Sequence, residues 1–241
     1  MESINEEILK SYGITATVLD ACESTNEHAL INGGVVFART QSGGRGRNGR
    51  NFYSGEGGIY TSIAFDVIDE KINVQGSRIP FSPASLTVSA GCAVCKLLIE
   101  YGFDASIKWV NDVFVADKKV CGILAERRGD RVVIGIGIDY ASELPDSLKD
   151  IAAPLFSEAD GINLFAAELY RKLYCELSAC DYDYYKSHCF TIGKYVSTCN
   201  GEGVAEDIED GCLVVKTEKG RIKVFSGEAV ILKNRKVYEK D

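Results

Sequence analysis

The eight residues Gly43-Gly44-Arg45-Gly46-Arg47-Asn48-Gly49-Arg50 contain four glycines and three arginines. Glycines let backbone N–H groups converge on an anion, and arginine adds a permanently charged fork that matches phosphate or carboxylate. Three arginines held this close repel one another unless an anion joins them. In a chain of net charge −8, that concentration of positive charge points to an anionic ligand, with a solvated surface turn as the plain alternative. Two named phosphate motifs do not fit. Gly44-x-Gly46-x-x-Gly49 has the spacing of the dinucleotide fingerprint, and Asp66 lies downstream. No helix fits between Gly49 and the strand expected at Ile59, however, so no helix dipole is there to hold a pyrophosphate. A Walker loop needs Gly-Lys before Ser or Thr, and here Gly49 is followed by Arg50 and Asn51.

Further along, Ile107-Lys108-Trp109-Val110-Asn111-Asp112 leaves a strand for a polar turn and sets a lysine beside the chain's single tryptophan. An ammonium facing a site neutralises a carboxylate or stabilises charge developing on phosphate. An edge-strand lysine with its head in solvent is the alternative. Asn111-Asp112 reads as a turn-former. Lys119 to Glu126 is a strand broken by Gly122, which marks either close approach of a ligand to backbone or a bulge. Gly135-Ile136-Gly137-Ile138-Asp139 alternates glycine with apolar residues, as if one strand face must stay bare. Ser24-Thr25-Asn26 has the residue types of a helix cap, whatever else it does.

The elements that must position these groups are legible from periodicity. Short helices are expected over 5–12 and 25–32, the second capped by Ser24 or Thr25, with strand-like composition at 16–19 between them. Strands are expected at 34–38 and 59–65, separated by the glycine-rich loop. Residues 83–101 make the clearest helix: Ser82 caps it, Pro83 starts it and Gly102 follows it. Its apolar stripe is Leu86, Ala90, Ala93, Val94, Leu97, Leu98 and Tyr101. Strands at 105–109, 113–116, 120–127 and 131–138 follow, then a helix over about 162–180. Helices interrupting runs of consecutive strands predict a mixed α+β sheet, not a regular parallel array. After about His188 the texture becomes short strands and glycine turns at 193–199, 202–208, 212–217, 221–226 and 229–232. That pattern predicts a small barrel, with a domain boundary near 187 separating 1–187 from 188–241.

Composition removes several function classes. Hydrophobic content of 46% with 26% charged residues is ordinary for a globular chain. The apolar runs look too short to span a bilayer, and the acidic N-terminus lacks the parts of a signal peptide, so a cytoplasmic protein is expected. Net charge −8 argues against general nucleic-acid binding. Nine scattered cysteines suggest reduced, partly buried thiols; Cys92 and Cys95 fall inside the apolar helix and read as core packing. His28 and His188 show no ligand spacing, so no protein-held metal is expected.

Taken in order, these segments resemble the biotin protein ligase family. The resemblance is carried by Ser24-Thr25-Asn26, Gln41, Gly44 to Arg50, Lys108 to Asp112, Lys119 to Leu124 and Gly135 to Asp139. Gly193-Lys194-Tyr195-Val196 and Phe225-Ser226-Gly227-Glu228 are similar to the family's C-terminal SH3-like barrel. The resemblance implies a catalytic domain of the class II aminoacyl-tRNA synthetase and biotin ligase type. It implies that biotin and MgATP form biotinyl-5′-AMP, whose biotinyl group then passes to a lysine of a biotin carboxyl carrier domain. By the same motifs, Ser24, Thr25, Asn26 and Gln41 would hold the ureido end of biotin, and Gly44, Arg45, Gly46 and Arg47 would fold over biotin and the adenylate phosphate. Lys108 would contact the biotin carboxylate and the α-phosphate, with Arg45, Arg47 and Lys108 as the catalytic charges. Gly122 and strand 135–139 would floor the pocket, and Arg50, Phe52, Asn111 and Asp139 would complete the nucleotide side. A homodimer is compatible with the family.

Three residues depart from its pattern. Val110 replaces the motif proline, Phe52 stands where tryptophan is usual, and Asp139 stands where asparagine is usual. An ionised aspartate cannot donate a hydrogen bond and repels phosphate unless magnesium intervenes. With about twenty residues before Ser24, no N-terminal DNA-binding domain and no operator binding are expected. Two other readings remain at this point: a lipoate or octanoate ligase on the same scaffold, and a biotin-binding sensor without turnover.

Overall fold

The structure, a computed structural model, describes residues 2–225 and 227–232. Strands β1 (Thr17–Cys22), β2 (Val35–Gln41), β3 (Ile59–Ile68), β6 (Ala105–Lys108), β7 (Asp112–Val115), β8 (Lys118–Arg128) and β9 (Arg131–Ile138) build one mixed sheet. Its order is β1-β2-β3-β9-β8-β7-β6, so β3 and β9 lie side by side although 62 residues separate them in the chain. Only β1 and β2 run parallel, because the chain between them returns through helix α2 (Thr25–Asn32). The expected mixed α+β architecture is present. The hairpin β4 (Lys71–Val74) and β5 (Ser77–Pro80), which extends β3, was not anticipated. Its only buried anchors are Ile72 and Val74, too few to stand out as a strand pattern.

Strand β9 shows how the sheet serves two faces. Val132, Ile134, Ile136 and Ile138 enter the main core. On the other face Val133 packs with Ala29, Leu30 and Val36 beneath α2, and then Gly135 and Gly137 follow. Helix α3 (Pro83–Glu100) covers the core face and packs in turn on α4 (Ile162–Ala179). Ser82 and Ser85 close a reciprocal capping box at its start, and Pro83 sits in the first turn. By length and composition α3 is long and apolar enough to cross a membrane, contrary to the expectation from apolar runs. It is 67% buried in the protein, as a core helix must be. Cys92 and Cys95 are fully buried on it, and burial pushes both thiols well up, Cys95 to about 11, so they pack as small apolar groups.

Two short helices, α1 (Glu6–Ser11) and α5 (Tyr182–Ser187), are also present among the described residues, and α5, like β4 and β5, was missed. It ends where the domain boundary was expected. Beyond it, β10 (Tyr195–Thr198), β11 (Gly201–Glu209), β12 (Cys212–Thr217), β13 (Gly220–Val224) and β14 (Val230–Ile231) form a second sheet, antiparallel throughout. Its order is β13-β12-β11-β10-β14, and among the described residues β13 and β14 do not pair. Among the described residues the sheet is thus not closed, and the small barrel expected from the strand pattern is not confirmed. Ser226, part of the segment that carried the barrel resemblance, lies outside the described residues.

Candidate active-site groove

Gly122 on β8 and Gly137 on β9 are direct cross-strand partners, and Gly135 pairs with Leu124 two residues along. Their hydrogens face away from the core and leave a shallow floor. Each glycine accommodates a side chain above it: a methyl on Gly135 would stand 2.1 Å from Asn26 Oδ1, and one on Gly137 would stand 2.5 Å from Phe52 Cε1. A methyl on Gly122 would meet the same ring at 3.0 Å. The bare face read from the alternation is real, and in this structure the Asn26 and Phe52 side chains cover it.

At one end of the floor the site is polar, with Arg45 as the one charged side chain on its wall. A cavity there is lined by Ser24, Thr25, Gln41, Gly135 and Gly137, with Phe52 closing it. Helix α2 starts here, and its first orphan donors are met by a neighbouring strand: Gln41 Oε1 accepts from the Thr25 backbone N–H (2.8 Å) and from Thr25 Oγ1 (3.0 Å). Gln41 Nε2 donates to Ser54 Oγ at 2.8 Å. Ser62 Oγ on β3 lies 2.7 Å from both Thr25 Oγ1 and Asn26 Oδ1, with its single proton available to one of them at a time. Asn26 in turn donates to Glu126 Oε2 at 2.7 Å. Ser24 is the N-cap residue, but its hydroxyl makes no capping bond and lies on the cavity wall. Ser54 and Ser62 were not singled out from sequence, because serines in a loop and a strand carry no pattern.

At the other end stands a cavity walled by Arg47, Arg50, Phe52, Lys108, Trp109, Asn111, Asp112, Lys119 and Glu228. The three loop arginines behave differently. Arg45 pairs with Glu27 at 2.6 Å, and Glu27 also holds Arg128 at 2.7 Å. Arg50 pairs with Glu228, carried by the segment between β13 and β14. Arg47 has no hydrogen-bond or ion-pair acceptor among the described residues. Burial lowers its pKa, with the charge of Asp112 opposing that shift. Lys108 is likewise without an ion pair among the described residues. Asn111 spends its amide N–H on the Ile123 carbonyl (3.1 Å), which braces the turn against β8. Lys119 was not assigned a role from its motif; here its ammonium reaches Asp112 at 2.7 Å and stands 5.7 Å from the Phe52 ring centre. The spacing gave no signal, because Gly122 lies three residues after Lys119 and a regular strand would turn them to opposite faces. The register shift between β7 and β8, where Val113 pairs with Cys121 and Phe114 with Lys119, brings Lys119 onto the floor's face.

The turn bearing Lys108 is tied to the second sheet. Trp109 donates its backbone N–H to Thr191 Oγ1 (3.0 Å) and its indole N–H to the Gly211 carbonyl (2.9 Å). The Trp109–Val110 peptide is cis, and the Val110 carbonyl accepts from Tyr185 at 2.8 Å. Asp139 departs from expectation: it lines neither cavity. It is 4% exposed, and one of its oxygens has no partner among the described residues. Burial raises its carboxyl to about 7, against the lowering effects of Lys119 and a Ser142 hydrogen bond. The repelling carboxylate inferred from sequence is therefore substantially protonated near neutral pH.

A polar pocket, a glycine floor covered here by Phe52 and Asn26, and a cation cluster in which Arg47 and Lys108 are unpaired among the described residues follow one another along the groove, an order that suits a small acid whose carboxylate meets a phosphate. Comparison with known proteins agrees with that class. The model of the biotin/lipoate A/B protein ligase family matches residues 12–139, and the chain belongs to that family. A bifunctional ligase/repressor BirA from Bacillus spizizenii is 30% identical, with 93% of this chain and 75% of that protein covered. A biotin–[acetyl-CoA-carboxylase] ligase from Mycobacterium tuberculosis is 29% identical over 85% of this chain and 81% of its own length. Among solved structures, the biotin protein ligase of Aquifex aeolicus in complex with biotin and ATP superposes with a TM-score of 0.76 at 25% identity, covering 90% of this chain and 98% of the other.

Proposed function

We propose that the protein is a biotin protein ligase: it joins biotin to ATP as biotinyl-5′-AMP, with release of pyrophosphate, and transfers biotin to a lysine of a biotin carboxyl carrier domain. The observation that carries this reading is the order of chemistry along one groove. Ser24, Thr25 and Gln41 offer hydrogen bonds to a neutral ureido head. The Gly122–Gly137 floor takes an aliphatic chain, and Arg47 and Lys108 lie uncommitted where carboxylate and phosphate meet.

Attack of a carboxylate on a polyphosphate brings two anions together, so rate enhancement comes from positioning and positive charge. Arg47 and Lys108 supply that charge without first breaking an ion pair. Lys119, already engaged by Asp112, contributes from the junction of floor and cation cluster. Arg45 and Arg50 act through their partners Glu27 and Glu228, holding the loop's two ends. No covalent enzyme intermediate is required, and a closed loop protects the mixed anhydride from water.

Among the described residues there is no group of three or more His, Cys, Asp or Glu side chains placed to hold a metal. The wall carboxylates Asp112 and Glu228 are each engaged by a cation. These residues fit a magnesium ion carried by the triphosphate itself, where it screens phosphate charge. We further assign residues 188–241 to an SH3-like module and the protein to the cytoplasm. Every residue of the groove comes from one chain, so a homodimer is compatible with the site but not required by it.

The test is mass spectrometry of the adenylate formed from ATP and an equal mixture of biotin, lipoate and octanoate, followed by transfer of labelled biotin to a carrier domain. Biotinyl-5′-AMP and a labelled carrier are expected. A lipoyl or octanoyl adenylate alone overturns the assignment, and tight biotin binding without pyrophosphate release makes the protein a sensor instead.

A further inference from the structure

We infer that Phe52 occupies the acyl-chain floor of its own active site, so that substrate and this side chain compete for one surface. The inference rests on the proposed ligase reading and adds a step to it. Phe52 lines both the polar cavity and the cation cavity, together with Arg45 and Gly122. Its ring lies on the paired glycines, so close that a methyl on either would collide with it or crowd it. The cavities left on its two sides are about 100 Å³ and about 30 Å³. Neither approaches the roughly 300 Å³ that small-molecule sites require. With the ring removed from the floor, the two cavities join along the line from Thr25 to Lys108.

The ring is placed by local bonds and not by the core. Phe52 is only partly buried and belongs to neither hydrophobic cluster. Its neighbours are two glycine hydrogens, the edge of Tyr60 (centroids 6.3 Å apart) and the Lys119 ammonium. The loop that carries it is held by a short set of hydrogen bonds: Phe52 N–H to the Gly44 carbonyl (2.8 Å), Ser54 Oγ to the Phe52 carbonyl (3.1 Å) and Gln41 to Ser54 (2.8 Å). Gln41 also caps α2 at the polar end, so a head group that recruits Gln41 or Thr25 loosens the anchor of the ring it must displace. Gly44 suits this crossing, since a methyl there would stand 2.4 Å from the Phe52 carbonyl oxygen. An aliphatic chain arriving on the floor replaces the apolar contact that the ring gives up. Occupation of the floor by Phe52 therefore lowers the fraction of molecules ready to bind, and apparent affinity falls by that fraction.

The experiment is stopped-flow binding of biotin alone, read by the single tryptophan, Trp109, on the cavity wall and checked by calorimetry. Wild type, Phe52→Ala and Phe52→Leu are compared, with melting curves showing that each variant is folded. If the open form is a tenth of the population or less, Phe52→Ala should raise the association rate constant about tenfold or more. Phe52→Leu, which covers less of the floor, should fall between. An association rate constant unchanged or lowered in both folded variants overturns the inference, because Phe52 is then a wall and not a competitor. Failure of wild type to bind biotin by calorimetry would instead remove the ligase reading on which the inference stands.

Discussion

Asp139 offers the sharpest test of the electrostatics, because its environment makes stability depend on pH in a direction opposite to an ordinary surface carboxylate. The carboxyl is 4% exposed and is raised to about 7, first by burial, with Lys119 and Ser142 opposing. Tyr60 and Cys121 are the other titratable neighbours that feel its charge. The folded protein binds this proton more tightly than the unfolded chain, whose aspartate titrates near 3.8. Stability from Asp139 is thus complete below about pH 4, drains as pH rises and is exhausted above about 7. The gap between 3.8 and about 7 corresponds to roughly 4 kcal/mol in full, of which roughly 2 kcal/mol falls between pH 5 and 7. Asn at this position keeps the shape and cannot titrate. The assay is the difference in melting temperature between wild type and Asp139→Asn at half-unit steps from pH 5 to 8, so that shared pH effects cancel. The variant's advantage should grow by roughly 4–8 °C between pH 5 and 7 and then level off. A difference constant to within about a degree across the range would refute the reasoning, since Asp139 would then not titrate in that window.

The remaining predictions concern the groove and its supports. Arg47→Ala and Lys108→Ala should each slow pyrophosphate release with biotin and ATP by about 10²–10³-fold, the scale of a lost donor to developing charge; wild-type rates in both variants would remove them from the site. Trp109→Phe keeps the aromatic body but leaves the Gly211 carbonyl without its 2.9 Å donor, and should cost about 1–3 kcal/mol in urea unfolding. No loss would mean that water serves the carbonyl equally well. Glu228→Gln should change stability by less than about 1 kcal/mol, because its Arg50 partner is 61% exposed and the pair is largely screened; a larger loss would show that the contact holds the loop more firmly than its exposure implies.

Much of the fold was legible because it follows from short-range rules. The α3 boundaries came from Ser82, Pro83 and Gly102, and β9 came from alternation, both properties of neighbouring residues. The hairpin of β4 and β5 and the short α5 were not legible, since each is held by tertiary contacts of two or three residues and has little pattern of its own. The second sheet's strands were read in the right places, but closure depends on whether its outer strands meet, which no local pattern encodes.

The site divides in the same way. Sequence alone determined which residue types are present and in what order: the arginine–glycine loop, the lysine before Trp109, the glycines that bare one face of β8 and β9. Those follow from side-chain chemistry and a strand's period of two. Only the tertiary structure decided their states. It committed Arg45 to Glu27 and Arg50 to Glu228, left Arg47 and Lys108 without ion pairs among the described residues, and brought Lys119 to the junction. It also laid Phe52 on the glycine floor and buried Asp139 until its proton is held near neutrality. Partners 18, 85 or 178 residues apart meet only when the sheet brings distant strands together, and a pKa depends on everything packed around the group.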